Sequence, residues 1–164
     1  MLTVPPEVAA ENSELIEQID ALVAAHGSDR SALIPILQEL RERYREISDV
    51  AMQVVADRLG VPPVAVQGVV TFYSFLGTAP AGRHVIRLCR TLSCELAGTR
   101  AVAEQLEREV GVPLGGTTDD GEITLEWANC IGMCDQAPAA LVDAEAVGHL
   151  SPATVSEILG RLRA

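Results

Sequence analysis

The chain has 164 residues, of which 48% are hydrophobic and 21% are charged, and this balance is typical of a folded globular protein rather than a disordered one. Its formal net charge of −11, with no lysine, argues against nucleic-acid binding and against docking on anionic membranes, because both need clustered cations. No run of about 18 apolar residues occurs, so we predict no direct membrane insertion.

The start of the chain bears on its compartment. Residues 1–7 lack the basic start and the apolar stretch of a secretory signal peptide, so we expect a cytoplasmic protein. In that reducing compartment disulfides are rare, and cysteine clusters usually bind metal or carry out redox chemistry.

The first half of the sequence predicts a small helical bundle. Apolar residues recur at helical spacing in four segments, each bounded by a capping residue, a glycine or a proline. These segments cover residues 15–27, 31–44, 48–60 and 62–70. Four amphipathic helices joined by short links are typical of a bundle.

The only aromatic cluster follows these helices, at residues 71–76, and includes Phe72, Tyr73 and Phe75. We expect it to pack in the core at the seam of two subdomains, and a docking surface for a partner is the alternative. The turn residues at 77–82 then predict a boundary between domains covering 1–80 and 81–164.

The second half predicts a compact sheet with helices packed against it. Strands are expected at 84–88 and 123–127, a closing hairpin at 139–148, and helices at 99–110 and from Ser151 onward. The predicted fold class is therefore α+β, with an N-terminal helical bundle followed by an α/β domain.

All four cysteines lie in this second half, as Cys89 and Cys94, then Cys130 and Cys134. Each pair follows a predicted strand, so the two segments can converge at one end of the sheet. A binuclear iron–sulfur cluster needs four thiolates, two at each iron, and two close pairs provide that number with none left over.

Other uses of these cysteines remain open from spacing alone. Structural zinc is the main competitor, although its pairs are usually spaced C-x(2)-C, whereas here the spacings are C-x(4)-C and C-x(3)-C. A redox dithiol needs C-x-x-C, and a Rieske centre needs paired histidines that neither His84 nor His149 provides. Disulfides or free thiols complete the alternatives, and the competing function is a structural zinc-binding interaction module.

Further residues match a known family in order and spacing. They are Gly98, the turn and strand at 120–125, the segment 130–134, Ala137-Pro138, and residues 70–73. With the cysteines, they resemble the thioredoxin-like [2Fe–2S] ferredoxin subunit, the 24-kDa or E-type component of NADH:quinone oxidoreductase. Related small subunits occur in NAD-reducing hydrogenases and NAD-dependent formate dehydrogenases. The likeness spans about residues 15–163.

This resemblance implies a thioredoxin-like second domain that carries one [2Fe–2S] cluster. Cys89 and Cys94 would bind one iron, and Cys130 and Cys134 the other. Backbone N–H groups around Gly98 and Gly132 would bond the cluster sulfurs and tune the reduction potential.

The resemblance also implies a partner and a role. The partner is a flavoprotein subunit that binds FMN and NADH, within a larger soluble hydrogenase, formate dehydrogenase or NADH:quinone oxidoreductase. This chain has no phosphate-binding glycine loop, so we expect FMN and NAD(H) on the partner only. Its role would be that of a non-catalytic carrier of single electrons.

Overall fold

Within residues 5–163, helices fill the first half of the chain, and the first strand begins at His84. The computed structural model describes residues 5–163, so part of the N-terminal stretch judged for a signal peptide, residues 1–4, lies outside the described residues. The chain divides into two units, Met1–Pro80 and Ala81–Ala164. The predicted α+β class is confirmed.

The described part of the first unit, residues 5–80, contains five α-helices and a 3-10 turn, Arg30–Ala32. The α-helices are α1 Pro6–Glu11, α2 Ser13–His26, α3 Leu33–Tyr44, α4 Asp49–Leu59 and α5 Pro63–Phe72. The four longer helices are those that the sequence predicts, whereas α1 has only six residues and no buried face. The Ser48 hydroxyl caps α4 by accepting a hydrogen bond from the Ala51 N–H at 3.2 Å, and Gly60 ends that helix at a φ of 63°.

The core of this unit is built almost wholly from aliphatic side chains. Residues with at most 1% of their surface exposed include Ile19, Ile36, Leu37, Leu40, Ile47, Val55, Val66 and Leu76. Among the helices of residues 5–163, none combines the length and the apolar character needed to cross a lipid bilayer.

The expected burial of the aromatic cluster is wrong for its two phenylalanines. Phe72 is 79% exposed and Phe75 is 36% exposed. Helix α5 turns Val66 and Val70 into the core, and a residue two positions beyond Val70 points about 200° away around the helix. The aromatic rings contact one another instead, with the Phe72 and Tyr73 centroids 5.0 Å apart.

The second unit contains a four-stranded mixed sheet and three helices. The elements are β1 His84–Cys89, α6 Leu92–Leu96, α7 Thr99–Val110, β2 Ile123–Ala128, β3 Ala140–Val142, β4 Glu145–Val147 and α8 Pro152–Leu162. The strand order is β2-β1-β3-β4. Among these helices and strands, the five-residue α6 is the one that the sequence does not predict.

The register of the central strands determines where the cysteine segments begin. Strand β1 runs parallel to β2, with Cys89 opposite Ala128, and antiparallel to β3. Leu88 and Leu125 are fully buried, and α7 and α8 contribute Leu106 and Leu159 to the same core. Because β1 and β2 are parallel, their carboxyl ends lie at the same edge of the sheet.

Candidate metal centre

The first cysteine pair is buried at that edge. Cys89 is the last residue of β1, and Cys94 lies in α6; each is only 2% exposed. Both pack against Ala139 in a small apolar cluster. The sequence predicts that this pair follows a strand, and the structure adds that Cys94 lies on a short helix that turns it inward.

The second pair is exposed. Cys130 follows β2 by two residues, and Cys134 begins a single 3-10 turn, Cys134–Gln136. Gly132 stands between them with a φ of 80°, a backbone conformation that favours glycine. One pair is therefore enclosed by protein and the other faces solvent.

The segment after Cys134 is held in place by the chain that follows β4. The His149 N–H donates to the Gln136 carbonyl at 2.6 Å, and the Leu150 N–H donates to the Pro138 carbonyl at 2.9 Å. Gly148 packs so closely that a Cβ on it would lie 2.6 Å from the Gln136 Cβ. The peptide bond between Ala137 and Pro138 is cis.

The sulfur of Cys89 has close polar neighbours on both cysteine segments. The Thr91 Oγ1 lies 3.1 Å away, and the Asn129 carbonyl accepts a hydrogen bond from the thiol at 3.0 Å. The backbone N–H of Cys89 donates to the Ala139 carbonyl at 3.0 Å, which ties β1 to the segment that follows the second pair. The sulfur thus lies between the two cysteine segments.

The two buried thiols have opposite pKa shifts. Burial acts to raise the pKa of Cys89, but hydrogen bonds from Thr91, from the Cys94 thiol and from the Ile131 N–H outweigh it and lower that pKa. Burial raises the pKa of Cys94, and so do its hydrogen bond to Cys89 and the negative charges of Cys89 and Cys134. Cys89 is therefore the first of the two to become a thiolate, the form that binds metal.

These interactions show which thiols the fold brings together. Cys89 and Cys94 are hydrogen-bonded, and Cys134 is close enough for its charge to act on Cys94. Cys130 lies on the same segment as Cys134, with its side chain exposed. Within residues 5–163, no three His, Cys, Asp or Glu side chains surround the position of a single metal ion.

The donor set fits a binuclear cluster. A [2Fe–2S] cluster takes four cysteine thiolates, two at each of its two irons, so it requires two pairs rather than four ligands around one ion. The four thiols here are soft donors of the type that iron–sulfur clusters select. They are all free cysteines, with no disulfide between them.

The spacing of the cysteines does not predict the polar neighbours of the Cys89 sulfur. The expectation that backbone N–H groups around Gly98 and Gly132 bond the cluster sulfurs stays a prediction. The Gly98 N–H donates to the Glu95 carbonyl at 3.1 Å, and Gly98 is the N-cap residue of α7. The Cys89 thiol donates to the Asn129 carbonyl, and its sulfur also has hydrogen bonds with Thr91, the Cys94 thiol and the Ile131 N–H. A threonine two residues after the first cysteine was the available signal.

Comparison with known proteins identifies the family of this chain and the family's cofactor. A family model described as thioredoxin-like [2Fe–2S] ferredoxin matches residues 19–163. The chain belongs to this family. The family's cofactor is one [2Fe–2S] cluster, which its name specifies.

Relatives named as components of NAD-linked complexes agree with this membership. The chain is 35% identical over 158 residues to the E component of the NADH-quinone oxidoreductase of Escherichia coli, covering 96% of this chain and 93% of that one. It is 32% identical over 146 residues to the alpha subunit of the NAD-reducing hydrogenase HoxS of Cupriavidus necator, covering 89% of this chain but only 24% of that one.

A solved structure supports the fold. An NAD⁺-reducing [NiFe]-hydrogenase in its air-oxidised state matches with a TM-score of 0.68 at 24% identity. The match covers 77% of this chain, which spans only 22% of the length of that hydrogenase chain.

Proposed function

We propose that this chain is a cytoplasmic electron-transfer subunit that binds one [2Fe–2S] cluster through Cys89, Cys94, Cys130 and Cys134. It exchanges single electrons with a flavoprotein subunit that binds FMN and NADH. The observation that carries this proposal is the meeting of two cysteine pairs at the carboxyl edge of the parallel strands β1 and β2, in a member of this ferredoxin family.

The residues around the site have separable tasks. The cluster, when bound, supplies one-electron redox chemistry. Cys89 and Cys94 would bind one iron from a buried apolar cluster that includes Ala139, and this burial would limit the access of water. Cys130 and Cys134 are exposed and would bind the other iron near the surface, within reach of a docked partner.

The partner is inferred from the relatives. Two of them are named as subunits of NAD-linked oxidoreductases, and in the HoxS alpha subunit the matching part is covalently joined to a much longer chain. The present chain has no phosphate-binding glycine loop, so the nicotinamide and the flavin belong on the partner. The parent complex is a soluble hydrogenase, a formate dehydrogenase or an NADH:quinone oxidoreductase.

An affinity-tagged chain, purified without oxygen from its native host, tests this proposal. We expect a flavin-containing subunit to co-purify, and NADH to bleach the visible absorption of the cluster in that complex. The isolated chain with NADH is the control, and its cluster should stay oxidised. A chain that emerges without flavin, or a cluster that NADH reduces with no flavoprotein present, would contradict the proposed partner.

A further inference from the structure

Thr91 occupies the N-cap position of α6, yet its hydroxyl does not cap the helix. Its backbone has the extended geometry of an N-cap, with φ −77° and ψ 163°, and its side chain makes no capping hydrogen bond. The Oγ1 atom lies instead 3.1 Å from the sulfur of Cys89. The Thr91 hydroxyl therefore points at the Cys89 sulfur and not at the N–H groups of the first turn of α6.

Two other hydroxyls in the chain show what a capping side chain does here. Ser48 accepts from the Ala51 N–H at 3.2 Å, and Ser151 accepts from the Thr154 N–H at 3.3 Å. Such a bond satisfies one of the free N–H groups of the first turn, and its loss costs about 1 kcal/mol. Helix α6 lacks this capping bond, because the Thr91 hydroxyl contacts the Cys89 sulfur instead.

The direction of the contact follows from the ionisation of the cysteine. A thiol can donate, and in that form Cys89 donates to the Asn129 carbonyl at 3.0 Å. A thiolate bound to metal has no proton, so its bond to that carbonyl is lost. The hydroxyl of Thr91 carries its own proton and can donate to the sulfur in the metal-bound form.

We propose that the Thr91 hydroxyl donates a hydrogen bond to the ligand sulfur of Cys89 and thereby raises the reduction potential of the cluster. This inference rests on the proposed function, since it requires the cluster. Reduction adds one negative charge, which is shared with the ligand sulfurs, and a hydrogen bond to a sulfur is stronger when the sulfur is more negative. The donor thus stabilises the reduced state more than the oxidised state.

The test is a redox titration of the purified chain, followed by the paramagnetic signal of the reduced cluster. Thr91→Val keeps the branched shape and removes the donor, so its potential should fall. We expect a roughly two- to tenfold change in the one-electron reduction equilibrium, and tenfold corresponds to about 59 mV. Thr91→Ser keeps the donor and should retain the wild-type potential.

Ser93→Ala is the matched control, because it removes an exposed hydroxyl from the same helix. Its potential should equal that of the wild type. The potential does not depend on how much protein is loaded, so a variant with lower iron content still gives a valid value. If Thr91→Val does not fold, Thr91→Ala removes the same donor without the branched side chain.

Two results would overturn the role of Thr91. One is an unchanged or raised potential in Thr91→Val or Thr91→Ala; the other is a fall in Thr91→Ser as large as in Thr91→Val. A purely structural role would lower the unfolding midpoint or the iron content and leave the potential of the loaded fraction unchanged. Wild-type protein without iron and sulfide would instead refute the proposed function, so the two failures are distinguishable.

Discussion

Substitutions in the two cysteine pairs should change the stability of the fold by different amounts. Cys89 and Cys94 are each 2% exposed and lie in an apolar cluster, whereas Cys130 and Cys134 face solvent. A polar atom placed in the buried pair must find a hydrogen bond or lose its hydration. Residues with the same proposed ligand role therefore have different structural roles in the metal-free protein.

Serine substitution at each cysteine separates these roles. We expect all four variants to lose most of their iron, because a serine hydroxyl is a poor substitute for a thiolate. In the metal-free protein, Cys94→Ser, in the buried pair, should lower the free energy of unfolding by about 1–3 kcal/mol. Cys130→Ser, in the exposed pair, should leave it within about 0.5 kcal/mol.

Iron analysis of the purified variants gives the metal content, and urea titration of their metal-free forms gives the free energy of unfolding. Full iron content in all four variants would show that the ligand assignment is wrong. Equal destabilisation by Cys94→Ser and Cys130→Ser would contradict the assignment of Cys94 as buried and Cys130 as exposed.

At the scale of the elements, much of the fold follows from local sequence patterns. Helices α2 to α5 and strands β1 and β2 are predictable because periodicity and caps act within a few residues. Helix α6 has only five residues, too few to show a period, so the inward turn of Cys94 was missed. The exposure of Phe72 was also missed, because it depends on which face of α5 the rest of the first unit covers.

The site also combines features set by local sequence with features set by the fold. The cysteine positions and their placement after strands were readable from the sequence, because they depend on local order. The diversion of the Thr91 hydroxyl to Cys89 was not, since an N-cap threonine ordinarily bonds its own helix. Competition between a cap and a nearby sulfur is decided only by the folded geometry.

Gly148, which directly follows β4, packs against Gln136 in the segment after Cys134. A substitution at Gly148 tests this contact. In Gly148→Ala the new methyl would meet the Gln136 Cβ at 2.6 Å and its carbonyl oxygen at 2.9 Å. We expect the free energy of unfolding to fall by about 1–3 kcal/mol, as overpacking usually costs. Iron content should fall as well, because Gln136 lies two residues after Cys134.

Gly160→Ala is the control for that change. Gly160 lies in α8 with nothing within 4 Å of an added Cβ, so alanine should stabilise the protein by about 0.5–1 kcal/mol. Thermal unfolding of both variants gives the comparison. If the two substitutions have the same effect, the close packing between Gly148 and Gln136 does not exist in solution.

A carboxylate links helices α7 and α8, and its contribution should depend on pH. The Ser156 hydroxyl donates to Glu109 at 2.5 Å, and this bond, with a second from Gln105, lowers the pKa of Glu109 below its ordinary value of 4.5. Because the folded-state pKa is the lower one, the stabilisation is present above the unfolded-state pKa. It is lost as pH falls through the folded-state pKa.

Denaturant titrations of wild type and Glu109→Gln across that acidic range check the sign. The wild type should be the more stable at neutral pH, and the difference should shrink as the solution is acidified below pH 4.5. Glu104→Gln, on an exposed position of the same helix, is the control. A difference that grows on acidification would contradict the lowered pKa.

At the scale of the whole molecule, charge and family membership point to one kind of partner. A net charge of −11 opposes association with nucleic acid and with anionic lipid. Relatives that match 96% and 89% of this chain are named as subunits of NAD-linked oxidoreductases. A protein partner in such a complex is consistent with both observations.

The central claim is that four cysteines on two segments hold one [2Fe–2S] cluster. Iron and acid-labile sulfide, measured on anaerobically purified chain together with the paramagnetic signal after reduction, test it most directly. We predict about two irons and two sulfides for each chain, with an axial signal from one unpaired electron. One zinc for each chain, with no sulfide and no signal, would contradict the claim.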